Sequence, residues 1–232
     1  MDPYLNRLIC VLLGYTFGCL QWAYILGKIS RQIDIRDYGS GNSGTTNALR
    51  VLGRKLGILT LVGDLMKTCL AVLAVTLLWG YDRKALLLWA GVGAILGHNF
   101  PFYMQFKGGK GVAVMIGLYA AADPRMLLIA GIPALILLGL TRYVSLSSIT
   151  YMVGLMVTSL IFYSGIPGGL EVILLTFLMA GTTVVRHHAN IQRLLNGTER
   201  KLGQRVDITA APAAASPESS ASAGEGDLTE KT

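Results

Sequence analysis

A chain of 232 residues that is 53% apolar and only 14% charged carries too little charge to cover a soluble domain of its size, so it reads as a polytopic membrane protein. The formal net charge of +7 raises nucleic acid as a partner, but the cations crowd into short stretches between apolar runs without interleaved aromatics, a pattern that membrane orientation demands and nucleic-acid binding does not. Cys10, Cys19 and Cys69 lie in apolar runs, are odd in number and lack metal-ligand spacing, so neither a disulfide nor a zinc site is expected.

The first apolar stretch, about Leu5 to Ile29, has no basic head beyond Arg7 and no small-residue cleavage site, and reads as a retained span. Further apolar segments run at about Leu56 to Gly80, Ala85 to Phe100, Val112 to Ala122, Met126 to Leu140, Leu146 to Tyr163 and Leu170 to Val185. Val112 to Ala122 is the shortest against the roughly 20 residues of an upright span. The basic stretches 101–111 and from Arg186 onward belong on one side, which requires an even number of crossings between them. Four short helices, turning at Asp123-Pro124-Arg125, at Thr141-Arg142 and at Ile166 to Gly169, meet that requirement. The expected fold is therefore an all-α bundle of about seven transmembrane helices with cytoplasmic motif loops, the N-terminus outside and the C-terminus inside. Of the 20 Lys and Arg residues, 15 then fall on the inner side and four outside, with Lys67 in a span. From about Val206 the composition turns to Ala, Ser, Pro, Glu and Thr without apolar periodicity, so residues 1–203 read as the membrane domain and 204–232 as a disordered cytoplasmic tail.

Three polar stretches thus meet on one face. The first, Gly39-Ser40-Gly41-Asn42-Ser43-Gly44-Thr45-Thr46-Asn47-Ala48-Leu49-Arg50, combines exposed backbone N–H groups, side-chain donors and a cation, which suits it to a phosphate. It matches G-x-G-x-x-G, but no strand precedes it, and Thr45 stands where a Walker lysine belongs, so neither nucleotide fold is supported. In the second, Gly97 to Gly111, glycines on both sides of Lys110 leave its ammonium open to an anion. In the third, Arg186 to Glu199, His187 and Asn190 share a face if the last span's helix continues, while His188 points elsewhere. Asp64 and Lys67, three apart inside an apolar helix, are placed to pair; Ser145 and Ser148 share a face just after Arg142.

Taken together, Gly39-Ser40-Gly41-Asn42 with Gly44 and Thr46-Asn47 to Arg50, Gly97-His98-x-Phe100-Pro101, Phe106-Lys107-Gly108-Gly109-Lys110-Gly111-Val112-Ala113, and Arg186-His187-x-x-Asn190-Ile191-x-Arg193-Leu194-x-x-Gly197-x-Glu199 resemble the bacterial acyl-phosphate:glycerol-3-phosphate acyltransferase (PlsY) family over roughly residues 5–202. Ser43, Thr45 and Thr68 depart from that family's pattern. The resemblance implies transfer of a fatty acyl group from acyl phosphate to the sn-1 hydroxyl of glycerol 3-phosphate, giving 1-acyl-glycerol 3-phosphate (lysophosphatidate) and phosphate, at the cytoplasmic side of the bacterial inner membrane. It implies Ser40, Asn42, Thr46, Asn47 and the backbone of Gly41 and Gly44 as ligands of the phosphate and acyl carbonyl. Arg50, Lys110, His187, Asn190 and Ser148 would form the glycerol-phosphate site, with Gly39, Lys107, Gly109 and Ser145 completing the substrate-binding set and His187, Asn190 and Ser40 catalytic.

Acyl phosphate is a mixed anhydride with a good leaving group, so direct attack by the hydroxyl is the expected mechanism, with the proton going to the departing phosphate or to His187. Asp34 and Asp37 are the only close carboxylate pair on the inner side, so no metal or other cofactor is expected. The competing reading is an anion or organophosphate transporter. That would need polar residues along a path through mid-membrane, where only Asp64 and Lys67 stand out.

Overall fold

The structure is a computed structural model that describes residues 2–204; the tail read from the sequence lies outside them except for Gln204. Among the described residues there is no strand. The helices are α1 (Pro3–Gly18), α2 (Trp22–Arg31), α3 (Thr45–Val51), α4 (Arg54–Trp79), α5 (Lys84–Asn99), α6 (Val112–Ala122), α7 (Pro124–Thr141), α8 (Val144–Tyr163), α9 (Gly169–Val185) and α10 (His188–Leu195), with 3-10 turns at Ile35–Asp37 and Phe102–Met104. Each of the seven apolar segments is helical. Five stretches are long and apolar enough to cross a membrane, and α9 with α10 adds a sixth if that bent pair counts as one span. At 11 residues, α6 rises about 16 Å, too little to cross a roughly 30 Å hydrocarbon core upright.

Capping residues set several helix ends. Asp2 accepts from the backbone N–H of Tyr4 at 2.7 Å just before Pro3, and Asp123 accepts from that of Arg125 at 3.2 Å just before Pro124. The central packing is between α1 and α5. Gly14 and Gly18 of α1 abut the backbone of Ala90 and Ala94, and Gly93 and Gly97 of α5 abut that of Val11 and Tyr15. A Cβ at any of the four would run into the partner's main chain, the small-xxx-small device by which helices without a hydrophobic drive between them approach closely. At one end Arg7 of α1 makes a two-pronged ion pair with Glu171 of α9 (2.6 and 3.0 Å), and the Trp89 indole of α5 donates to the same carboxylate at 2.7 Å. The side chains of Leu77, Ile136, Ile161 and Leu174 face outward, as lipid contact requires.

Two details differ from the sequence reading. The stretch Leu5 to Ile29 is not one helix but breaks at 19–21 between α1 and α2. The freed groups find partners: Tyr103 donates to the Cys19 carbonyl at 2.7 Å, Lys67 to that of Leu20 at 2.6 Å, and the buried Gln21 amide donates to the carbonyl of His98 at 3.0 Å. Irregular backbone at membrane depth is tolerated only when satisfied in this way. The last span does not continue straight either, because α10 leaves α9 at 56°.

Candidate active site

At the end of the bundle opposite Arg7 and Glu171, the three polar stretches fold onto one another. Asn47 organises the first: its carbonyl oxygen accepts from the Ser40 N–H at 2.9 Å and its amide donates to the carbonyls of Ile35 and Tyr38 at 3.1 and 3.0 Å. The turn before it needs Gly39 and Gly41 at φ +69°, and a Cβ on Gly39 would strike the Asn47 side chain. Gly44 starts α3. Ser43 donates to Gln21 at 3.1 Å, and Asn42 donates to the Gly108 carbonyl at 3.3 Å, which ties the first stretch to the second.

The second stretch is pinned from behind. The Gly108 and Gly109 N–H groups donate to the carbonyls of Asn99 and His98 at 3.0 and 2.9 Å, and Arg186 donates to the Gly109 carbonyl at 2.9 Å. A Cβ on Gly109 would collide with the His98 ring. His98 in turn sits 2.9 Å from Lys67, whose ammonium lies 2.8 Å from Asp64, so the pairing expected of Asp64 and Lys67 extends to a third buried group.

Lys110 donates to the Asn190 carbonyl oxygen, and the Asn190 amide donates to Glu199 at 2.7 Å. Glu199 also accepts from Ser145 at 2.8 Å and from Arg193 at 2.7 Å. Burial alone would raise the Glu199 carboxyl, but these three donors and the Arg193 charge hold it below the usual carboxylate range. Burial, with Arg193 and Arg186 nearby, pulls the Lys110 ammonium down to about 8. Burial pulls His187 down to about 4, so its ring is neutral at physiological pH. Its Nδ1 lies 2.8 Å from the Thr183 carbonyl, which can only accept, so Nδ1 carries the proton and Nε2 keeps its lone pair. His188 is exposed.

These groups line a cavity of about 480 Å³ with two chemically distinct ends. Ser40, Asn42, Thr46, Arg50, Lys110 and His187 line the polar end, joined by Asn190, Ser145, Ser148 and Asn47. Leu61, Ile116, Leu127 and Leu135 line the apolar end. Two buried donors at the polar end, Arg50 Nε and Thr45 Oγ1, lack a partner within the protein. Of the residues singled out from the sequence, Gly44 reaches the lining, whereas Gly39, Gly41, Lys107 and Gly109 do not; Lys107 is exposed on the loop surface. Ser148 donates back to the Val144 carbonyl at 2.8 Å, leaving its oxygen free to accept. Sequence reasoning assigned no role to Glu199, Arg186 or His98. The signal for Glu199 was a lone carboxylate within a run of cations, and for His98 its place in the same polar stretch as Gly108 and Gly109. Among the described residues no group of three or more His, Cys, Asp or Glu side chains gathers in metal-binding fashion.

A membrane-embedded helical bundle whose cavity joins a crevice rich in cations to an apolar tunnel is the class of site suited to amphiphiles that carry phosphate. The family model described as Glycerol-3-phosphate acyltransferase matches residues 8–197. Proteins named glycerol-3-phosphate acyltransferase from Thermoanaerobacter pseudethanolicus and Halalkalibacterium halodurans are 39% and 40% identical, covering 86% and 87% of this chain and 98% of each relative. The crystal structure of PlsY (YgiH), an integral membrane glycerol 3-phosphate acyltransferase, in its glycerol 3-phosphate form superposes with a TM-score of 0.76 at 34% identity, covering 85% of this chain and 96% of that one. Its lysophosphatidic acid form gives 0.73 at 33% identity, covering 84% and 94%. The chain belongs to the glycerol-3-phosphate acyltransferase (PlsY) family and is an integral membrane enzyme of that family.

Proposed function

We propose that this enzyme moves a fatty acyl group from acyl phosphate to the sn-1 hydroxyl of glycerol 3-phosphate at the cytoplasmic side of the bacterial inner membrane. The N-terminus then lies outside and the C-terminus inside. The observation that carries the reading is the single cavity with a cationic end and an apolar end. One phosphate bears an acyl chain and the other a hydroxyl, and both must meet at the boundary between those ends. The solved PlsY structures in glycerol 3-phosphate and lysophosphatidic acid forms support substrate and product of this kind.

In the proposed reaction Lys110 and Arg50 hold the glycerol-phosphate anion, and Asn190, fixed by Glu199, orients Lys110. The first stretch, through Ser40, Asn42 and Thr46, faces the acyl phosphate. The sn-1 oxygen attacks the acyl carbonyl carbon, the bond from that carbon to the phosphate oxygen breaks, and inorganic phosphate leaves. The hydroxyl proton goes to His187 Nε2, a neutral acceptor in the cavity wall, or to a departing phosphate oxygen. No covalent acyl-enzyme is needed, since the anhydride is already activated and positioning lowers the barrier. The test is to mix purified protein with acyl phosphate and labelled glycerol 3-phosphate and to look for labelled lysophosphatidate. Comparable turnover with acyl-CoA, or vesicle uptake of glycerol 3-phosphate without acylation, would overturn the reading.

A further inference from the structure

We propose that Gly131 sets the usable depth of the apolar end of the cavity and so determines which acyl-chain length the enzyme prefers. This rests on the reading that the acyl chain occupies that end. The wall contributed by α7 is one helix face: Leu127, Gly131, Ala134, Leu135 and Leu138 recur at i, i+4, i+7, i+8 and i+11. Leu138 lies toward the end of α7 that joins Val144 and Ser145, hence toward the polar crevice, and Leu127 lies toward the Asp123 cap. The 11 steps between them rise about 16 Å. A hydrocarbon core of about 30 Å is spanned by two opposed chains, so one chain occupies about 15 Å and the wall matches a single acyl chain.

Gly131 sits about 10 Å along that wall, with about 6 Å remaining beyond it. A Cβ built there meets nothing within 4 Å. This sets it apart from the helical glycines that let neighbours approach, such as Gly154, where a Cβ meets Ala130 at 2.9 Å. Its φ is not positive, so backbone geometry does not demand glycine either. Glycine is among the poorest helix formers, and neither packing nor conformation accounts for it here. What it leaves is open volume in the middle of the α7 face of the cavity, whose lining also includes Ile116 of α6 and Tyr151 of α8. A larger side chain at 131 closes the far part of the tunnel without touching the polar crevice.

The experiment compares wild type, Gly131→Ala and Gly131→Leu, all full-length. The first readout is kcat/KM with hexadecanoyl over decanoyl phosphate. The second is the affinity for hexadecanoyl over decanoyl lysophosphatidate, which does not depend on the acyl donor. Each methylene barred from the cavity and left to water loses up to about fourfold in affinity, so in short-chain detergent Gly131→Leu should lower both long-to-short ratios by about tenfold and Gly131→Ala by a smaller step in the same direction. Ratios that stay at the wild-type value overturn the proposal, as does an equal loss for both lengths. If Gly131→Leu does not fold, the Gly131→Ala ratios decide alone, since alanine favours the helix. If wild type turns over neither acyl phosphate, the donor assignment fails while the product-affinity ratio still tests Gly131.

Discussion

Glu199 is the keystone of the cation cluster. It is 8% exposed. Its carboxylate accepts from Ser145 at 2.8 Å, Asn190 at 2.7 Å and Arg193 at 2.7 Å. Of these the Asn190 bond governs the substrate site, because holding the amide nitrogen turns the amide oxygen toward Lys110. In Glu199→Ala that amide is free to rotate and Lys110 loses its fixed acceptor. A hydrogen bond to a charged group contributes about 1.5 to 3 kcal/mol. The expected loss in kcat/KM for glycerol 3-phosphate is therefore about 10- to 150-fold. The Arg193 contact adds little, since that side chain is 39% exposed and solvent screens it. The assay is a double-mutant cycle with Asn190→Ala. If Glu199 acts through Asn190, the double variant is barely worse than Asn190→Ala, with a coupling of about 1.5 to 3 kcal/mol. Fully additive penalties would refute this account of how Lys110 is positioned.

Other consequences can be measured directly. Because Lys110 titrates at about 8, it is charged below that pH and neutral above it, so KM for glycerol 3-phosphate should be steady near pH 7 and climb by up to about tenfold per pH unit above 8; a KM flat to pH 10 would exclude Lys110 as the phosphate ligand. His187→Ala should cost turnover heavily whereas His188→Ala should be mild, since of the two His187 alone lines the cavity, and the reverse ranking in steady-state kinetics would shift the site by one residue. Gly109→Ala should abolish or sharply reduce activity by displacing the His98 ring and with it Lys110, while circular dichroism keeps its helical signal; wild-type kinetics would show that the Gly109 contact yields freely. Truncation after Gly203 should leave activity within about twofold, because among the described residues every one that lines the cavity precedes that point.

Much of this was legible in the sequence because membrane insertion separates apolar from polar residues so sharply. The seven apolar segments, the turns at Asp123-Pro124 and Arg142, and the convergence of three polar stretches all follow from hydropathy and loop charge. The break at 19–21 did not, since Leu5 to Ile29 is apolar throughout save a few residues, and what licenses a break there is remote in sequence: Lys67, Tyr103 and the carbonyl of His98. Gln21 was the local hint, an amide in an apolar run. The meeting of α1 and α5 was also encoded, as Gly14-x-x-x-Gly18 and Gly93-x-x-x-Gly97, a spacing visible in the letters though not its partner helix. Asn47 illustrates a different limit. Composition marked it as a polar group of a phosphate loop, but its carbonyl oxygen bonds inside that loop and its amide bonds the turn just before it.

That internal use of polar groups explains why so many amides, hydroxyls and glycines gather around so few substrate contacts. Asn42, Asn47 and Arg186 bond other parts of the motif stretches, Ser43 bonds Gln21 at the α1–α2 break, and Gly108 and Gly109 are small because His98 and its carbonyl lie against them. Lys67 reaches both the Leu20 carbonyl of the helix break and His98, so the buried Asp64, Lys67 and His98 join the α1–α2 junction to the loop that carries Lys110. A buried ion pair is a weak source of net stability, because desolvation offsets most of its attraction. Its use here is register: a cation held at 1% side-chain exposure can occupy only a position where every proton has an acceptor. The loops are thereby fixed before substrate arrives. The direct attack proposed here needs that above all, since such a reaction depends on where two bound molecules are held.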